Sequence, residues 1–189
     1  MRFAQAIEIP GDASPEARFV AKLVQMLEKP VLFVDIDGVI SLWGFDSNAR
    51  PAGAFHNVDG VTHFLSSDAG NHLLGLRDRF ELVWCSGWEE KANDHLPYAL
   101  SLPADMPFLS FERNPGRGHG HWKLAAIEAY AGPRRALAWI DDAHDEACHA
   151  WAARRGAPTL LVATTPAIGL SAAHVDELNA WAEATASAG

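Results

Sequence analysis

Cysteine is almost absent. Cys85 and Cys148 are the only two in 189 residues, both inside apolar runs, so no disulfide framework holds this chain together and both read as buried core thiols. Long hydrophobic runs are missing as well: charges or prolines interrupt each one before the roughly 18 residues that a membrane span requires. Met1-Arg2-Phe3-Ala4-Gln5 carries one charge, and Glu8 and Pro10 cut short the apolar stretch of about 7–15 residues that an export signal needs. The expected compartment is therefore the cytoplasm, with no membrane association. Positive charge is scarce, with 15 Lys+Arg against 24 Asp+Glu and a formal net charge of −9. Extensive duplex nucleic-acid binding, which neutralises many phosphates with basic side chains, is not expected, although a local basic loop can still hold one phosphate.

What is present is an ordinary globular composition, 49% apolar and 21% charged. At about 150 residues per domain the chain makes a single domain, residues 1–189. Residues 14–28 read as a helix in an N-terminal extension over 1–29: Ser14 can cap, Pro15 suits the first helical position, and Phe19, Val20, Leu23, Val24 and Leu27 recur every three or four residues. Val31-Leu32-Phe33-Val34 is a short continuous apolar run, the pattern of a strand buried on both faces of a parallel sheet. Similar strands are expected at 80–85, 107–111, 136–140 and 159–162, alternating with helical stretches that end in a helix near 172–185. Such alternation predicts an α/β fold, a Rossmann-like doubly wound parallel sheet with helices on both faces, whose ligands bind at the carboxyl ends of the strands. Residues 40–67 break the rhythm, and Asp59-Gly60 between apolar alternations predicts a small β-hairpin flap.

Two of these strands end in paired carboxylates, Asp35 and Asp37 after the first and Asp141 and Asp142 after Ala138-Trp139-Ile140. A single Asp there would be read as a helix cap. Four converging on one sheet edge repel one another, which a hard divalent cation such as magnesium relieves. Between them lie Ser86-Gly87, directly after a strand, and Lys123, at the start of a helix over 122–130. A hydroxyl and an ammonium would complete a phosphate site; taken singly, Ser86 could instead cap the next helix and Lys123 could be a solvated lysine.

In this order the residues resemble the four motifs of the haloacid dehalogenase-like superfamily, most of whose members are phosphatases and phosphotransferases. Val31-Leu32-Phe33-Val34-Asp35-Ile36-Asp37-Gly38-Val39 resembles the first motif, Trp84-Cys85-Ser86-Gly87 the second, Lys123 the third and Trp139-Ile140-Asp141-Asp142 the fourth. The resemblance implies an aspartyl-phosphate mechanism, with Asp35 as nucleophile and Asp37 as the acid that protonates the leaving oxygen and then activates water. It implies that Ser86 and neighbouring groups at Gly38 and Gly87 hold the phosphoryl oxygens, that Lys123 offsets their charge, and that Mg2+ bridges Asp35, the Asp37 carbonyl and Asp141 or Asp142. Asp141 is the first choice of ligand; Asp145 reads as an outer-shell partner or a helix start. The carboxylate at position 37 is what phosphoryl-transfer members carry and dehalogenases lack.

The chain has no length for a large cap, which by similarity to capless relatives implies an open site of a phosphatase type. The expected substrate is a phosphorylated small molecule or an exposed phosphate on a macromolecule, polynucleotide ends included. A phosphotransferase would share each motif residue, and a catalytically silent phosphate-binding domain is the reading of another class. Arg117, in the Arg-, His- and Gly-containing stretch 112–121, could grip a second phosphate or sit in a plain solvated loop, while His119 and His121 lack the third ligand of a transition-metal site. Trp43, Phe45, Trp88 and Trp122 fall near motif positions and read chiefly as packing residues, Trp139 reads as core, and His56, His63, His72 and His95 show no evident partner. The oligomeric state is left open.

Overall fold

All four side chains of Val31-Leu32-Phe33-Val34 are fully buried, which a strand achieves only when both faces of its sheet are covered. The structure, a computed structural model, describes residues 29–111 and 121–188; the helix expected over 14–28 and the stretch 112–120 with Arg117 and His119 lie outside the described residues. In chain order the elements are β1 (Val31–Val34), β2 (Ser41–Leu42), β3 (Gly53–Val58), β4 (Val61–Ser66), α1 (Ser67–Leu76), β5 (Glu81–Trp84), α2 (Lys91–Leu100), α3 (Leu124–Ala131), β6 (Leu137–Asp141), α4 (Glu146–Arg154), β7 (Thr159–Ala163) and α5 (Ala172–Ala188). No helix among the described residues is long and apolar enough to cross a membrane.

Strands β5, β1, β6 and β7 form a parallel sheet in that order. The period-2 alternation of strands divides its side chains between two cores. Leu32, Val34, Trp84 and Ile140 pack with Leu73 of α1, Leu96 of α2 and Leu178 of α5 on one face, whereas Phe33, Val83 and Trp139 pack with Ile127 of α3 and Cys148 of α4 on the other. After β1 the chain builds outward to β5, then returns to place β6 on the opposite side of β1. The carboxyl ends of β1 and β6 thus meet at the switch in strand order, where such sheets open a ligand crevice.

The strand expected at 107–111 does not form. Phe108 makes one parallel bridge with Trp84, held by the Trp84 N–H to the Pro107 carbonyl and the Leu109 N–H to the Trp84 carbonyl, both 2.8 Å. The next donor along that edge, the Phe111 N–H, goes instead to the Glu89 carboxylate at 2.9 Å, and the ladder ends there.

The hairpin is formed by β3 and β4. Asp59 and Gly60 both take positive φ, 50° and 87°, as a two-residue turn matched to strand twist requires. β2 adds to the other edge of β4, giving a three-stranded antiparallel sheet in the order β2-β4-β3. Phe64 fixes it from within, its ring 4.7 Å from Phe45 and 5.1 Å from Phe55, while Leu65 joins the main core.

At the junction of this small sheet with α1, the buried Ser66 hydroxyl accepts the Ala69 N–H at 3.2 Å. Ser66→Ala should cost about 1 kcal/mol, a normal cap loss. Leu73→Ala, in the fully buried core, should cost about 2–5 kcal/mol. Urea unfolding with an unchanged slope checks both.

Candidate active site

The β1–β6 pairing continues past Val34 as the Asp35 N–H donates to the Ile140 carbonyl at 3.0 Å, so the two strands release Asp35 and Asp141 side by side. Both are buried, Asp35 at 6% exposure and Asp141 at 0%. Lys123, at the N-terminal boundary of α3 and 3% exposed, reaches between them: its Nζ lies 2.9 Å from Asp35 Oδ2 and 2.6 Å from Asp141 Oδ2. Asp141 is held further, since Trp139 Nε1–H donates to Oδ2 and the Ala143 N–H to Oδ1, each at 3.0 Å. Asp142 is half-buried, and one oxygen from each of Asp35, Asp141 and Asp142 lies within 4.8 Å of the others. An all-oxygen group of this kind can hold a hard cation.

The electrostatics of the protein alone favour such an ion. Burial pushes the Asp35 carboxyl up to about 6; Lys123 opposes this and the Asp141 charge adds to it. Burial, then Asp141, raises Asp142 as well. For Lys123, burial works against the ammonium, but Asp35 and Asp141 together outweigh it and its pKa is raised, so the side chain stays charged. Burial raises the Cys85 thiol well above its ordinary value, consistent with an inert core cysteine.

The turn after β1 brings in Asp37 and Gly38. The Ile36 carbonyl accepts from the Ile40 and Ser41 N–H groups, both at 2.8 Å, and the Gly38 N–H returns to the Ser41 carbonyl at 2.8 Å. Gly38 has φ +75°, and a Cβ there would collide with the Asp142 carboxylate, so only glycine fits. The loop after β7 secures this turn, with the Thr164 hydroxyl donating to the Gly38 carbonyl at 2.9 Å and its N–H to the Asp141 carbonyl at 3.0 Å. The Asp37 side chain, 47% exposed, faces outward: Trp88 Nε1–H donates to its Oδ2 at 3.0 Å, and His63 Nδ1 lies 3.6 Å from its Oδ1.

Ser86 is buried at the end of β5, the other neighbour of β1, with Gly87 beside Trp122. It does not cap the next helix. Its carbonyl accepts the Glu89 N–H, and α2 begins only at Lys91, without a side-chain cap. Asp145 is a helix start: its carboxylate accepts the Cys148 N–H at 2.9 Å, which lowers its pKa. The structure therefore gathers Asp35, Lys123, Asp141 and Asp142 into one cluster, with Asp37 and Gly38 on the adjoining turn and Ser86 and Gly87 on the adjoining strand end. His63 is not without a partner, because the Ser41 hydroxyl bonds its Nδ1 at 2.9 Å. The contacts that His63, Trp88 and Trp139 make to this site escaped the sequence, whereas the loop 163–171 that carries Thr164 could be placed at this sheet edge from its position after a strand. Of those three, only the indole N–H groups offered a signal, since a buried indole needs an acceptor.

A carboxyl whose pKa is higher folded than unfolded contributes stability that is fully present below the unfolded value and is lost as pH rises through the folded one. Without metal, the wild-type protein should therefore lose stability relative to Asp35→Asn between about pH 4 and pH 6, by roughly 1.4 kcal/mol for each pH unit, and run parallel to it above. Paired urea titrations across that range in a chelator check this; a flat difference would refute it.

Comparison with curated proteins gives no match. A family model described as the HAD domain in Swiss Army Knife RNA repair proteins matches residues 31–175, from the first residue of β1 into α5. That span contains the sheet and each of the clustered carboxylates. With this match over most of its length, the chain belongs to the haloacid dehalogenase-like superfamily, in the family of HAD domains found in Swiss Army Knife RNA repair proteins.

Proposed function

We propose that the protein is a magnesium-dependent phosphomonoester hydrolase that removes a terminal phosphate from an RNA strand. The observation that carries the chemistry is the buried Lys123 ammonium bonded to both Asp35 and Asp141, with a second, outward-facing carboxylate at Asp37 two residues on. The RNA-repair description of the matched family supports the substrate class. A net charge of −9 limits contact to the end of the strand rather than a long tract of its backbone.

An Asp35 oxygen attacks phosphorus and the bond from phosphorus to the leaving oxygen breaks, while Asp37 gives that oxygen a proton. Asp37 then takes a proton from water, the water oxygen attacks phosphorus, and the Asp35–phosphorus bond breaks to release inorganic phosphate. Splitting the displacement makes two easier steps. Lys123 offsets the negative charge gathered between Asp35 and the phosphate, and Ser86 and the Gly87 backbone receive phosphoryl oxygens; Gly38, expected to share in this, has its N–H committed to the Ser41 carbonyl at 2.8 Å and its carbonyl to the Thr164 hydroxyl. Magnesium, when bound, supplies charge neutralisation and alignment of the phosphate. Asp35, the Asp37 carbonyl and Asp142 would hold it. Asp142 takes precedence over Asp141 because both Asp141 oxygens already accept hydrogen bonds, three in all, from Lys123, Trp139 and Ala143.

Phosphate release from 5′- and 3′-phosphorylated oligoribonucleotides and from p-nitrophenyl phosphate, with and without magnesium, tests the reading. Magnesium-dependent release that Asp35→Asn abolishes is the expected result. Transfer of the phosphoryl group to an added alcohol in place of water would make it a phosphotransferase, and no turnover by folded, metal-loaded protein would leave a phosphate-binding domain. Asp142→Asn should weaken magnesium binding measured by calorimetry by at least about tenfold, the loss seen even when a supporting outer-shell partner is removed.

A further inference from the structure

Asp37 is placed for proton transfer on an exposed turn, where a short carboxylate would ordinarily rotate freely in water. Here it does not. The Trp88 indole N–H donates to Oδ2 at 3.0 Å, with the length of a real hydrogen bond, whereas His63 Nδ1 at 3.6 Å from Oδ1 is too far for one. The indole is itself fixed. The Trp88 carbonyl accepts the Lys91 N–H at 3.0 Å, the ring packs against the main core, and two imidazoles meet it edge-on, His63 at 4.8 Å and His95 at 6.5 Å. His63 is in turn set by the Ser41 hydroxyl and by its place on β4. The small sheet is also tied to α2 by the Lys91–Asp59 ion pair at the hairpin tip. A chain of contacts therefore runs from the flap through Trp88 to one oxygen of Asp37.

We infer that Trp88 is a positioning residue for the reaction: its N–H anchors Asp37 Oδ2, braced by His63 of the flap, and leaves Oδ1 as the oxygen that exchanges the proton with the leaving group. The inference rests on the hydrolase reading above. Indole suits the task because it is a donor only and does not titrate in the working range, so it fixes the carboxylate without competing for the proton. A group held by packing and hydrogen bonds before the substrate arrives needs no reorganisation during the reaction.

The decisive variant is Trp88→Phe, which keeps a ring and removes the N–H. The quantity to read is kcat/KM on two substrates: a 3′-phosphorylated oligoribonucleotide, whose alcohol must be protonated as it leaves, and p-nitrophenyl phosphate, whose nitrophenolate leaves without a proton. The variant should lose about tenfold or more on the first, a part of the roughly 10²–10⁴-fold that general acid–base catalysis contributes, and far less on the second. Equal losses on both substrates, or none on either, would overturn the inference while leaving the hydrolase reading intact. Wild-type protein inactive on both sinks that reading instead. The contact is then decided by NMR, and the same measurement serves if Trp88→Phe does not fold: the Trp88 indole proton should move upfield in Asp37→Ala if the bond exists, and an unmoved resonance overturns the inference.

Discussion

A single ammonium buried between two carboxylates organises this protein. Among the described residues, Lys123 is the positive charge in contact with both Asp35 and Asp141, and the trio sits where water is almost excluded. Desolvating three ions is expensive, and the cost is tolerable only when each retains partners of the right kind. The surroundings supply them: Trp139 and Ala143 donate to Asp141, and the sheet register sets Asp35 beside it. One negative charge still remains in excess within the trio, and Asp35 shows the strain of its burial: desolvation raises its pKa, Lys123 opposes that, and the Asp141 charge adds to it. The site is thus built short of cation, which makes it receptive to a metal and to a group that carries its own counterion.

The remaining architecture can be understood as support for that arrangement. The parallel sheet aligns three strand ends, β7 sends Thr164 back to close the turn at Gly38, and the antiparallel sheet backs the side of Asp37 that faces solvent. Rigid elements hold the buried charges, while Asp37, the carboxylate proposed for proton exchange, lies on a turn at the surface.

Much of this was legible in the sequence because its causes are local. Continuous apolar runs marked the strands of the sheet, Asp59-Gly60 marked the hairpin, and an Asp immediately after a strand could only project at the carboxyl edge. What escaped depended on long-range contacts or on competition for a donor. Residues 107–111 have the composition of a strand, yet Glu89, well before them in the chain, takes the N–H that would have extended it. His63 looked solitary because its partners, Ser41 and Asp37, come from other turns of the chain. Trp88 and Trp139 are large and apolar in any periodicity count, and nothing in that count reveals that each indole N–H ends on an aspartate. The choice between Asp141 and Asp142 as the freer carboxylate likewise needed the hydrogen-bond partners of both.

The contact between Gly38 and Asp142 also has a genetic meaning. A side chain at position 38 would occupy the space of the Asp142 carboxylate, and the left-handed backbone there adds a separate penalty. Residues in direct contact give non-additive mutational effects. Positions 38 and 142 therefore behave as one heritable unit: shortening residue 142 relieves the steric part of a change at 38 at the expense of a carboxylate, so the sequence has no neutral path by which this turn could exchange its glycine and keep the acidic cluster whole.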